Sequence, residues 1–251
     1  MFSVVCQSNM AFFSFTNIST GDNSPQLEKH EEQKLLFLSI FMPVVFITIM
    51  WIVHIFEYVT GMDLGKYGIL PKHIEGLPGI LFSPFIHGDW QHLISNTAPF
   101  LILSFLMIFN YRKVAFKAFV FIYLAGGLLL WLTGRENYHI GASGLIYGMA
   151  FFIFFSGVFR KNLQAIALSL FVVFLYGSIV WGMFPIDFKI SWEGHAMGAV
   201  CGFVAAFYFR NVDRPAPIIL EDDPEDDDEM IPHEHEPIEI TYTIVDDKPR
   251  T

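Results

Sequence analysis

The sequence predicts an all-α membrane protein, a six-transmembrane-helix bundle with a long structured first loop. Three observations carry this. Apolar residues make up 53% of the chain, and Phe alone occurs 28 times, more than a water-facing surface accommodates. Only 16% of residues are charged, and many of those crowd into one acidic stretch near the C-terminus. What remains divides into six apolar segments, each near the roughly 20 residues needed to cross about 30 Å of hydrocarbon. A mean hydropathy of +0.47 agrees.

Residues 1–15 are apolar but lack a basic leading region and a cleavage site, so a signal peptide is not expected; Met10 is an alternative start. Asn17-Ile18-Ser19 fits a glycosylation sequon, without meaning in a cytosolic segment. Residues 20–34 are polar, which makes 1–34 a cytoplasmic lead-in. The first span is 35–59, with His54 and Glu57 near its far end. The connection 60–91 is too apolar for a solvated linker and reads as a structured loop at the membrane interface. Five further spans follow at 92–110, 114–132, 143–159, 163–183 and 192–209. They close a membrane domain at 35–212.

Arg112, Lys113, Lys117, Arg160, Lys161, Arg210 and Arg214 fall on one side of these spans, and Lys66, Lys72, Arg135 and Lys189 on the other. Basic residues favour the cytoplasmic face, so both termini are expected there, most simply in a bacterial inner membrane. The net charge of −10 belongs mostly to the tail 213–251, where Glu221, Asp222, Asp223 and their neighbours repel one another and leave too little apolar surface for a core. That tail is expected to be disordered. Its His233-Glu234-His235-Glu236 has no fixed geometry for a metal. No nucleic-acid partner is indicated. Cys6 and Cys201 do not make a disulfide framework, and both read as small apolar residues.

The polar residues inside the spans are more informative, because ionisable groups in hydrocarbon are costly and point to function. Spans two, four and six run in the same direction, so their N-terminal ends share the outer face. His92 and Asn96 lie in the first turns of span two, Ser143 opens span four, and His195 lies in the first turn of span six. Each has a plainer reading alone: a helix cap for Ser143, a hydrogen-bonded helix histidine for His195, an interhelical bond for His92 and Asn96. Flanking glycines shift the balance. Gly141 and Gly144 permit a tight turn and a close approach of backbone N–H groups to an oxyanion. Gly194, Gly198 and Gly202 recur every four residues, and Gly144 and Gly148 offer a matching face. If those faces meet, His195 reaches Ser143 and activates it as a nucleophile. Tyr147, one turn along, either buttresses the imidazole or packs as a core aromatic. His92 and Asn96, at i and i+4, suit an oxyanion site. His87, Asp89, Gln91, Asn137 and His139 stand nearby as candidates to line a water-accessible cavity, with His87 more plainly a loop-stabilising hydrogen-bonding residue.

Three blocks, His87-Gly88-Asp89-Trp90-Gln91-His92-Leu93-Ile94-Ser95-Asn96, Gly141-Ala142-Ser143-Gly144 and Gly194-His195-Ala196-Met197-Gly198-Ala199-Val200-Cys201-Gly202, resemble the rhomboid intramembrane serine proteases of the six-span bacterial type. The resemblance covers residues 82–209. It implies a Ser143–His195 dyad, an oxyanion site from His92, Asn96 and the Ser143 N–H, and an aromatic ring at Tyr147 stacked on the histidine. It also implies single-span membrane proteins as substrates, cut near the outer face after their helices unwind, with a lateral opening beside span five. The family often carries Trp-Arg in the first loop, where this chain reads Pro78-Gly79, and a Glu low in the second span, where 96–112 holds no acid. Other contacts are expected to hold the loop. No metal or organic cofactor is implied, since a Ser–His dyad supplies its own nucleophile and base. Two other classes compete: a catalytically inactive relative that binds membrane clients, and a small transporter, which the lack of a visible inverted repeat disfavours. Oligomeric state has no sequence signature here.

Overall fold

A computed structural model describes residues 25–161, 163–185 and 191–212. The lead-in 1–24 with Cys6 and the sequon, Lys189, and the acidic tail 213–251 with its His-Glu repeat lie outside the described residues. All described residues belong to one compact unit, Met1–Pro215. It is helical, with α1 at Pro25–Thr60, α2 at Gly79–Phe82, α3 at Trp90–Asn110, α4 at Ala115–Thr133, α5 at Ser143–Arg160, α6 at Leu163–Tyr176 and α7 at Trp192–Tyr208.

Four helical stretches, Glu32–Thr60, α3, α4 and α5, are long and apolar enough to cross a membrane. α6 and α7 are shorter, at 14 and 17 residues. α1 begins at Pro25, inside the polar lead-in; proline pre-sets the φ of a first helical turn, and Glu and Lys favour its continuation. One expectation changes. Span five does not stay α-helical to 183. After Tyr176 it tightens into a 3-10 helix at Gly177–Met183, where glycine at the joint lowers α-helix propensity.

α5 is the central helix: 61% of it is buried, against 28% of α4. Its glycine face explains the position. A Cβ on Gly198 of α7 would lie 2.0 Å from the Gly144 oxygen, and one on Gly202 would lie 2.1 Å from the Gly148 oxygen. Backbone therefore meets backbone along α5 and α7, which is how helices gain dispersion contact where lipid offers no hydrophobic drive. Met50 and Phe100 extend the core to α1 and α3. There Phe46 stacks on Phe100 at 4.4 Å and meets Phe85 at 4.5 Å, and Trp51 Nε1 donates to Thr97 Oγ1 at 3.2 Å.

The first loop is ordered by pairing its backbone groups. Short 3-10 turns at Gly65–Tyr67, Ile74–Gly76 and Ser83–Phe85 flank α2. Ile69 and His139 exchange two backbone hydrogen bonds at 2.9 and 2.8 Å, an isolated antiparallel bridge to the loop before α5. Trp131 Nε1 donates to the His73 carbonyl at 2.8 Å, the Tyr123 hydroxyl to the Leu81 carbonyl, and Gly141 N–H to Ser83 O at 2.8 Å. These contacts hold the loop around Pro78-Gly79.

Candidate active site

α5 starts abruptly. Gly141 takes φ +103, a conformation closed to most side chains, and a Cβ there would sit 2.6 Å from His92 Nε2. Ala142 is the N-cap and makes no side-chain capping bond. Ser143, the first helical residue, does not cap its own helix either. Its hydroxyl lies 2.7 Å from His195 Nε2.

The other imidazole nitrogen fixes the direction of that bond. His195 Nδ1 is 2.9 Å from the Gly182 carbonyl oxygen, which only accepts, so Nδ1 carries the hydrogen. Nε2 is then the lone-pair nitrogen, and the Ser143 hydroxyl donates to it. The Tyr147 ring stacks on His195 at 4.1 Å with an interplanar angle of 8°. The imidazole is thus held on one face and at both nitrogens, and it is buried.

His92 and Asn96 project from α3 toward Gly141. The Asp89 side chain caps α3 by accepting from His92 N–H at 2.7 Å. Asn96 is buried, and its Nδ2 has no protein hydrogen-bond partner; a Cβ on Gly141 would lie 3.5 Å from it. Orphaned donors of this kind need an explanation, and a ligand oxygen is one. The first amides of a helix likewise lack an intrahelical acceptor, which places the Ser143 N–H in the same group.

His87 is 1% exposed. Its ring faces the Phe85 backbone, which pulls its pKa upward, and its carbonyl meets His54 Nδ1 at 3.1 Å. The ring packs edge-on to His92 at 5.0 Å. Burial, reinforced by the neighbouring His92, drives its pKa down to about 3, so it stays neutral. Of the residues proposed to line a cavity, His139 does so. A cavity of about 50 Å³, room for a few waters at roughly 10–15 Å³ each, is bounded by Ser83, His139, Gly141, Ser143 and Ser191. Asp89 is occupied by its cap, and the Asn137 side chain accepts from the Tyr138 N–H at 2.9 Å.

Three contributors at the site carry no strong sequence signal. Ser191 donates to His139 Nδ1 at 2.6 Å, and His139 Nε2–H donates to the Arg135 carbonyl at 3.1 Å. Burial lowers the His139 pKa, while the bond to Arg135 and the nearby Glu193 pull it back. Glu193, in the first turn of α7, pairs with Arg135 at 3.2 Å. The Gly182 carbonyl is the third. An acidic residue opening an apolar helix was the one readable hint among them.

Residues 75–212 match the sequence profile of the Rhomboid domain. The chain belongs to the rhomboid family. With four helices able to cross a bilayer, this rhomboid is an integral membrane protein. It is 37% identical over 180 residues to an uncharacterized protein of Mycobacterium tuberculosis (strain ATCC 25618 / H37Rv), covering 68% of this chain and 75% of that one. An uncharacterized Mycobacterium leprae (strain TN) protein is 32% identical over 179 residues, covering 67% and 70%. A putative rhomboid protein of Acanthamoeba polyphaga mimivirus is 32% identical over 135 residues, covering 51% of this rhomboid and 73% of its relative.

Proposed function

We propose that this rhomboid is an intramembrane serine endopeptidase that cuts transmembrane segments of other membrane proteins near the outer face. On this reading six crossings keep both termini on one side, the basic residues of the intervening hairpins favour the cytoplasm for them, and the lipid bilayer delivers the substrate. The observation that carries the reading is the 2.7 Å bond from Ser143 to an imidazole whose far nitrogen is already engaged. A hydroxyl is a weak nucleophile until a positioned base takes its proton.

The steps follow from the geometry. Ser143 Oγ attacks the scissile carbonyl carbon while its proton passes to His195 Nε2. The carbonyl oxygen becomes an oxyanion, received by Asn96 Nδ2–H, His92 and the Ser143 N–H. Collapse breaks the C–N bond, and His195 returns the proton to the leaving amine. Water from the cavity beside Ser143 then gives up a proton to His195 and attacks the acyl-enzyme. A second collapse releases the carboxylic acid and restores the Ser143 hydroxyl. Substrate helices unwind first, because a helical peptide bond is shielded and hydrogen-bonded.

The test is cleavage of a fluorogenic membrane-spanning peptide by purified protein in lipid vesicles. Cleavage by the native chain and none by Ser143→Ala is expected. Client binding without cleavage in both would replace the protease with a non-catalytic client-binding rhomboid.

A further inference from the structure

Serine-protease triads hold the base with a carboxylate, which orients the imidazole and selects its tautomer. No carboxylate touches His195 among the described residues; the group at Nδ1 is the Gly182 carbonyl at 2.9 Å. We infer that this carbonyl is the third member of the arrangement, a positioning group that locks His195 in the Nδ1–H tautomer and leaves Nε2 free for Ser143. The inference rests on the dyad reading above.

The local sequence frees that oxygen for the task. In a 3-10 helix each carbonyl accepts from the N–H three residues on. For Trp181 that partner is Phe184, which donates at 3.3 Å. For Gly182 the corresponding residue is Pro185, which has no N–H. The carbonyl therefore leaves the helix unsatisfied by its own turn and turns to the imidazole. Glycine is required at 182 for a separate reason. A Cβ there would lie 2.0 Å from the Tyr147 hydroxyl oxygen and 3.3 Å from His195 Nδ1, so the segment comes this close to the ring pair only without a side chain. A neutral carbonyl also avoids a second buried carboxylate beside Glu193, since each ionised carboxylate taken from water carries a desolvation cost of several kcal/mol.

Two measurements test this on the full chain. The first is ¹⁵N NMR of histidine-labelled Ser143→Ala protein in mildly alkaline buffer, with His195→Gln used to assign the resonances. Removing the serine hydroxyl leaves Gly182 as the described hydrogen-bond partner of the ring, so its pull alone sets the tautomer. A protonated Nδ1 and an unprotonated Nε2 are expected. The Nε2–H form, which free histidine prefers, would overturn the inference. The second measurement is cleavage. Gly182→Ala should slow kcat at least tenfold, short of the roughly 10⁴ lost when a triad histidine takes the wrong tautomer. Gly182→Ala combined with Tyr147→Phe, which removes the clashing hydroxyl and keeps the ring, should regain most of the rate; a double variant as slow as the single one overturns the inference. Cleavage surviving in Ser143→Ala would instead sink the dyad, whatever tautomer the spectrum shows.

Discussion

Gly198 and Gly144 touch backbone to backbone, the space between them too small for a methyl group, which would come within 2.0 Å of the Gly144 oxygen. Since the partner atom is main chain, nothing soft yields. Gly198→Ala should therefore spread α5 from α7 and destabilise the protein by about 1–3 kcal/mol, the usual range for overpacking. Gly126→Ala is the control: its Cβ would meet the Gly198 Cα at an ordinary 3.8 Å, and stability should hold or rise by up to about 1 kcal/mol, the helix-propensity gain of alanine over glycine. Thermal unfolding of both variants in detergent checks the pair.

The parallel stack of Tyr147 on His195 separates ring from hydroxyl. Tyr147→Ala removes a contact of the kind worth about 0.5–1.5 kcal/mol, and kcat should drop about 2- to 10-fold. Tyr147→Phe keeps the ring and should lose less. Steady-state cleavage of both variants decides; equal losses would assign the effect to the hydroxyl.

Asn96 tests the proposed oxyanion site. Losing one such donor costs about 10²–10³ in kcat in a well-studied protease, and Asn96→Ala should lose at least about tenfold with little change in KM. An Asn96→Ala enzyme running at full rate would remove that residue from the oxyanion site.

Arg135 and Glu193 form a pair that should show coupling. Glu193→Ala removes one partner of a half-buried guanidinium, and Arg135→Ala takes the paired cation from a buried carboxylate. Each single change should destabilise by about 1–3 kcal/mol, while the double change costs less than their sum. Additive losses in a double-mutant cycle would count against a direct interaction.

His87 sets an acid limit. Its folded pKa of about 3 lies below the ordinary 6.5, so between those values the unfolded chain binds the proton that the folded one refuses. Its contribution is full above about pH 6.5 and declines as pH falls toward 3. Unfolding free energy against pH should be steeper across that window for the native chain than for His87→Asn.

Much of this was readable in the sequence, for identifiable reasons. The long helices declare themselves because lipid demands uninterrupted apolar runs. Ser143, His195, His92 and Asn96 stand out because polar groups in such runs are conspicuous, and the structure brings their side chains or the glycines beside them to one place. The glycine spacing on α5 and α7 was legible because close approach leaves a periodic trace. Other features leave none. The Gly182 carbonyl belongs to the backbone, which every residue has, and only Pro185 hints that this one is spare. The end of α6 was missed because apolar residues continue past Tyr176 while the helix type changes beneath them. His87 ties its loop to α1 through its own carbonyl, a contact that a histidine's letter does not reveal.

The paired amides of Ile69 and His139 tie two loops that lie far apart in the chain. Such a tie makes the first loop and the entry to α5 one cooperative unit, so neither melts without the other. Deuterium uptake at those two amides should then keep pace with that of α5, leaving the exposed tip at Gly61–Met62 to exchange on its own clock.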